Sequence, residues 1–180
     1  MAQIIVLDQL LAIMPFAKYR AAQWIDPLND AMSAYEIDNA SRVAAFLAQI
    51  AVESGELQYV QEIASGAAYE GRQDLGNVNP GDGIKYKGRG FIQITGRANY
   101  QTASDALGQD FVGNPILLEQ SPWPATSAAW WWSSHGLNDL ADSGSLSDFQ
   151  SITRRINGGL TGEVNREAYW ATAKKAVGLA

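Results

Sequence analysis

Between residues 64 and 96 glycine recurs at positions 66, 71, 76, 81, 83, 88, 90 and 96, and no aliphatic run there is long enough for a helix or a buried strand. Turn signals such as NPGDG reinforce the reading of loop and short hairpin.

Both flanks read as helical. From Ile4 to about Pro15 the apolar residues fall at helical spacing, and a second helix is expected near Asp26-Pro27, an acid before a proline at the first helical position. Ser41 is a candidate cap for the clearest helix, in which Val43, Phe46, Leu47, Ile50 and Ala51 share one stripe and Gly55 is the stop. Beyond Gly96, RANYQTASDAL reads as helix, Asn114-Pro115 opens a short helical segment, and PWPATSAAWWWSSHG follows at 122 to 136. Two further helices are expected at about 147 to 156 and 163 to 177, separated by Asn157-Gly158-Gly159. No repeat or linker divides the chain, so residues 1–180 read as a single domain. Its expected fold is mainly α with a small glycine-rich β-hairpin region.

A chain of 180 residues with 47% hydrophobic content can build one core without covalent staples. It has no cysteine and one histidine, His135. Disulfides, thiolate chemistry and multi-histidine metal centres are thereby excluded, and no cofactor is expected. A net charge of −6 argues against nucleic acid as a partner. The apolar N-terminal stretch is broken by Asp8 and lacks a basic leader, so it reads as a buried helix, with no signal peptide and no membrane insertion.

Acid and base work therefore falls to carboxylates. Glu53 projects within roughly 20° of Phe46, at the edge of the buried stripe, where partial desolvation favours the protonated form that a general acid needs. Glu56, Glu62 and Glu70 are candidates for a second carboxylate. Nine residues from a helix end into a loop would let Glu53 and Glu62 face each other across a cleft.

The stretch GDGIKYKGRGFIQITGRANY, 81 to 100, fails as a phosphate loop. It lacks Gly-Lys-Ser/Thr, and Gln93 stands where GxGxxG needs its third glycine. Gln93, Thr95 and Asn99 beside Tyr86 and Phe91 suit a carbohydrate instead, whose hydroxyls need directional partners and whose C–H faces stack on rings. Of Trp130, Trp131 and Trp132, consecutive on a helix, at most two can line a cleft. His135 reads as structural.

Several segments together resemble glycoside hydrolase family 19, the chitinase family, and within it the compact endolysins of phages and prophages. They are AQIAVESGEL (48–57), ASGAAYEGRQDLGN (64–77), the stretch 81–100, AAWWWSSHGLN (128–138), and ITRRINGG (152–159) followed by NREAYW. The resemblance implies a two-lobed, lysozyme-like fold that cuts β-1,4 bonds between N-acetylated sugars with inversion. It places the general acid at Glu53 and the base at Glu62, with Glu70 a competitor, and gives Thr95 the task of helping to hold the attacking water. Gln93, Asn99, Asn157 and Arg166 match positions that line the cleft or hold the carboxylates, Arg166 being expected to keep the base ionised. The chain departs from much of the family in having Val52 before the acid, where histidine is common.

The expected partner is the glycan strand of peptidoglycan, or chitin oligomers, met by a monomer. The protein is expected to be made in the cytoplasm and to reach the wall by a holin-type route. A chitinase, a lytic transglycosylase-like enzyme and an inactive wall-binding module are the alternatives.

Overall fold

The computed structural model describes residues 3–179, so Met1, Ala2 and Ala180 of the expected single domain lie outside the described residues. Nine α-helices occur among them: α1 (Leu7–Ile13), α2 (Ala21–Ala34), α3 (Ala40–Glu53), α4 (Asp82–Lys85), α5 (Arg97–Leu107), α6 (Trp123–Ser134), α7 (Leu137–Asp142), α8 (Leu146–Asn157) and α9 (Glu163–Ala176). Short 3-10 turns lie at Pro15–Ala17, Ala67–Tyr69, Gln73–Leu75 and Pro115–Glu119.

The fold is mainly helical, as expected. α3 is its axis, buried from Val43 to Ala51, and it packs chiefly on α9, while α2 packs on α6. Burial on nearly every face follows from four alanines, which let neighbouring helices approach, alternating with Phe46, Leu47 and Ile50. The Phe46 ring meets Trp132 of α6 edge-on at 5.4 Å. A second, smaller cluster gathers Tyr86, Ile94, Tyr100, Phe111 and Leu118 on the far side of the glycine-rich segment, with Ile92 and Trp131 packed against both clusters. These are the two lobes.

Several boundaries differ from expectation, each for a local reason. α1 begins at Leu7, three residues late, because the Ile4 and Ile5 amides donate to Asn29 Oδ1 at 2.8 and 2.9 Å. α2 begins at Ala21 and carries Pro27 inside it. Ala21, Trp24, Ile25, Leu28, Ala31 and Met32 form its buried stripe, so packing outweighs the missing amide. The cap of α3 is Asn39, not Ser41: its side chain accepts from the Arg42 amide at 2.9 Å. α7 was not expected from the sequence.

The β-hairpin is absent among the described residues; only isolated bridges, Gln61 with Arg89 and Arg89 with Ile94, occur. Side chains hold this segment instead. Glu70 accepts from the amides of Gly81 and Gly83 at 2.7 and 2.8 Å, Arg97 pairs with buried Asp82, and Arg89 bonds Glu119, Lys85 O and the Tyr100 hydroxyl. The Arg97 guanidinium holds the Asp82 carboxyl below its ordinary range. Gly66 and Gly83 permit the loops to close: a methyl on Gly66 would lie 2.5 Å from Gly83 O.

Candidate active site

Glu53 is the last residue of α3, and Gln49 lies one turn earlier on the same face. Opposite stands Arg166 of α9, 3% exposed. Its Nη2 donates to Glu53 Oε1 and its Nη1 to Gln49 Oε1, both at 2.6 Å, while Nε reaches Thr161 O at 3.2 Å. Gln49 in turn donates to Thr153 Oγ1 at 2.9 Å. The row Glu53–Arg166–Gln49–Thr153 thus ties α3 to α9 and α8. Arg166 serves the expected acid rather than the expected base, contrary to the sequence reading. The arginine is on α9, whose packing against α3 places it there and not beside Glu62.

Between the two glutamates the chain makes an unusual turn. Gly55, Glu56 and Leu57 all have left-handed backbones, with φ of 56°, 56° and 65°. For the two non-glycine residues that conformation costs about 1–2 kcal/mol each. Compensation comes from the Glu56 carboxylate, which accepts from the Phe16 amide at 2.6 Å and the Tyr169 hydroxyl at 2.5 Å, and from the Leu57 amide bound to Ser54 Oγ at 2.8 Å. Burial, then the Glu56 charge, pushes the Tyr169 phenol up to about 12, so it stays a donor. Glu56 is therefore occupied and is no candidate base.

Glu62 emerges from this turn beside the glycine-rich segment. Its amide donates to Gly88 O at 2.9 Å, and its Oε2 accepts from the Gly88 amide and the Tyr69 hydroxyl, each at 3.1 Å. Burial, then Glu62, raises the Tyr69 phenol, which keeps it protonated. Glu62 Oε1 is buried without a protein partner among the described residues, and so is Gln93 Oε1. Gln93 itself has a left-handed backbone, φ 58°, with Nε2 donating to Gly90 O at 2.7 Å. Thr95 Oγ1 donates to Gln93 O at 2.9 Å, and Asn99 Nδ2 to Thr95 O at 2.7 Å.

Gly88 shows how tightly these groups converge. A methyl there would lie 2.9 Å from Glu62 Oε2, 2.8 Å from Gln93 Oε1 and 3.2 Å from Thr95 Oγ1. One α-carbon therefore faces the carboxylate, the amide and the hydroxyl at once. Of these side chains, Glu62 Oε1 and Gln93 Oε1 are the buried acceptors without partners, and they suit an O–H donor, water or sugar.

From Gln93, Thr95 and Asn99 a pocket of about 430 Å³ opens toward Trp130, Trp131 and His135. Neither Glu53 nor Glu62 lines it. Trp132 points the other way, fully buried, with its indole N–H on Asn138 Oδ1. His135 stacks on Trp131 at 3.8 Å and places Nδ1 2.7 Å from Trp131 O.

Two expected substrate contacts fail. Tyr86 is fully buried in the smaller cluster, with its hydroxyl on Val112 O at 3.2 Å and Arg97 over its ring, so no ligand reaches it. Glu70 is exposed, yet its carboxylate is consumed by the two glycine amides, which makes it a loop clamp and not a rival to Glu62. Asn157, the exposed last residue of α8, follows pocket-lining Ile156. Tyr69, Gly88, Gln49 and Thr153 belong to the site without having been singled out; Gln49 alone had a signal, its i−4 spacing from Glu53.

The family model described as chitinase class I matches residues 31–141, more than half of the chain and the part that holds Glu53, Glu62 and the convergence on Gly88. The chain belongs to glycoside hydrolase family 19. Among curated members, this family 19 chain is 37% identical over 131 residues to an endochitinase of Arabidopsis thaliana, covering 72% of this chain and 44% of that protein. It is also 37% identical over 103 residues to a glycosyl hydrolase family 19 domain-containing protein of Haemophilus influenzae, covering 56% and 47%. It thus spans less than half the length of these relatives. Chitinase C of Streptomyces griseus superposes with a TM-score of 0.75 at 27% identity, over 98% of this chain and 94% of that structure.

Proposed function

We propose that this family 19 domain is an inverting glycoside hydrolase that cuts β-1,4 bonds between N-acetylated sugars in peptidoglycan. The observation that carries the mechanism is the convergence of Glu62, Gln93 and Thr95 on Gly88, with two acceptors buried and unpaired. A water bound at the unpaired Glu62 Oε1 gives that oxygen one proton while Thr95, alongside, fixes its direction of attack. Tyr69 and the Gly88 amide hold Glu62 Oε2, so the free oxygen is the one that takes the proton. On the other side Arg166 holds Glu53 Oε1, leaving Oε2 to protonate the departing glycosidic oxygen. Once the proton is gone, the same arginine neutralises the new carboxylate. Gln93 and Asn99 meet the sugar, and Trp130 and Trp131 offer ring faces beyond them.

The choice of peptidoglycan rests on the endolysin-like wording of the segments between residues 48 and 170. On this reading the protein works as a monomer that reaches the wall by a holin-type route and lyses the cell. Chitin is the second reading, favoured by the endochitinases and chitinase C among the similar proteins. Purified sacculi and chitin should be digested side by side and the ends analysed. Reducing ends released from sacculi support the proposal; release from chitin alone selects the second reading. 1,6-Anhydro ends would overturn the two-carboxylate scheme.

A further inference from the structure

The segments that converge on Gly88 have a second face. The Glu62 amide donates to Gly88 O at 2.9 Å and the Gly90 amide to Val60 O at 2.8 Å, which sets Gln61 directly opposite Arg89. Arg89 and Ile94 exchange both backbone hydrogen bonds, at 3.1 and 2.8 Å. Gln61, Arg89 and Ile94 therefore share one face, and because successive side chains alternate, Glu62, Gly88 and Thr95 share the other. The closeness of the Gly88 α-carbon to the ends of Glu62 and Thr95 agrees with this. On the rear face stands Glu119, the last residue of the 3-10 turn Pro115–Glu119. Its Oε1 accepts from Arg89 Nε and from Gln61 Nε2, both at 2.6 Å. Arg89 is buried, and its Nη1 donates to Lys85 O, Lys87 O and the Tyr100 hydroxyl at 2.9, 3.4 and 2.8 Å. Those partners are neutral, so Glu119 supplies the charge that balances the guanidinium. One carboxylate oxygen thus joins the residue before the proposed base to the residue after Gly88.

We infer that Glu119 is a positioning residue for Glu62, acting through Gln61 and Arg89. It touches no reacting atom. With both facing side chains tied to one point, residues 60–62 are locked in register against 88–90. A slip of one residue would turn Glu62 to the rear face, away from Gly88 and Thr95. A shift well short of that already changes where Glu62 Oε1 stands relative to Thr95, which follows Ile94 on the same ladder. Glu53 and Arg166, held by α3 and α9, are not part of this arrangement. The inference rests on the reading of Glu62 as the general base.

The test compares Glu119→Ala with Glu119→Gln, whose amide oxygen can still accept from both donors. Gln61→Ala joins them, since it cuts one tie and leaves the pair of Arg89 and Glu119 intact. Turnover is measured on whichever polymer the wild type cuts. The Glu62 carboxyl resonance, assigned by its loss in Glu62→Gln, is followed by 13C NMR, which needs no activity. Glu119→Ala should lower kcat about tenfold at unchanged KM and move the Glu62 resonance, as expected when a reacting group is displaced by a fraction of an ångström. Glu119→Gln should recover most of that kcat. Gln61→Ala should lose about threefold, and adding it to Glu119→Ala should cost nothing more, because both act through one oxygen. Wild-type kcat and Glu62 resonance in a folded Glu119→Ala protein would overturn the inference. So would equal losses in Glu119→Ala and Glu119→Gln with the resonance unmoved. If Glu119→Ala does not fold, Gln61→Ala decides alone: a lowered kcat with a moved resonance at the wild-type thermal midpoint supports the inference, and wild-type values overturn it. If the wild type cuts neither polymer, the functional proposal fails, while the Glu62 resonance still decides this one.

Discussion

At the scale of single residues, the site depends on what is missing at position 88 as much as on its carboxylates. Gly88→Ala would push a methyl onto the ends of Glu62 and Gln93, which are side chains free to swing aside. The fold should survive while kcat falls about 10²-fold, the cost of misplacing a reacting group by an ångström; circular dichroism and turnover measured together check this. Thr95→Ala should fall by a similar factor, about 10²-fold, at an unchanged thermal midpoint. Glu163 allows a stability prediction. Its carboxyl is raised above the ordinary 4.5, so folding favours the proton. That contribution is fully present below about 4.5 and is lost as pH rises through the raised value. Glu163→Gln should therefore melt higher than wild type at neutral pH and no higher below pH 4.5, as calorimetry would show. Glu53 and Gln93 were legible because periodicity and polar-aromatic mixing act locally. Tyr69 was not, since its role arises from a neighbour, Glu62, that only the folded chain brings near.

At the scale of elements, helices with a strong stripe were readable and their ends were not. Asn39 and Ser41 are both competent caps in sequence, and the choice between them is made by the tertiary environment: Asn39 also donates to Asp142 Oδ1 at 2.8 Å. Asn39→Ala should cost about 1 kcal/mol by denaturant titration. Ser41→Ala should be near neutral, and a larger cost than that of Asn39→Ala would reassign the cap. The glycine-rich segment misled for a different reason. Alternating Tyr86, Phe91, Ile92 and Ile94 imitates a strand, but Tyr86 and Phe91 are claimed by different cores. The backbone around them is held by the side chains of Glu70, Asn77 and Arg89, on Gly81 N, Arg97 N and Lys85 O, in place of a partner strand.

At the scale of the molecule, the glycine-rich segment feeds both apolar clusters, Phe91 entering one and Tyr86 and Ile94 the other, whereas two lobes were expected from the family resemblance alone. The net charge of −6 has a consequence for any anionic wall. Repulsion slows approach and is screened by salt, over about 8 Å at physiological ionic strength. Digestion of acidic sacculi should therefore speed up between low and moderate salt, while hydrolysis of uncharged chitin oligomers stays flat. A fall in sacculus digestion with salt would mean that a local basic patch, around Lys85 and Lys87, governs encounter instead.

The left-handed run Gly55-Glu56-Leu57 lies within the spacer of eight residues, Ser54 to Gln61, that separates the proposed acid from the proposed base. In a two-carboxylate glycosidase the gap between those groups decides whether a water fits, and with it which anomer leaves the enzyme. If so, the configuration of the newly freed sugar is written in three backbone torsions rather than in either glutamate. Deleting one residue of that spacer would change the product's handedness or stop the reaction, with every catalytic side chain still present.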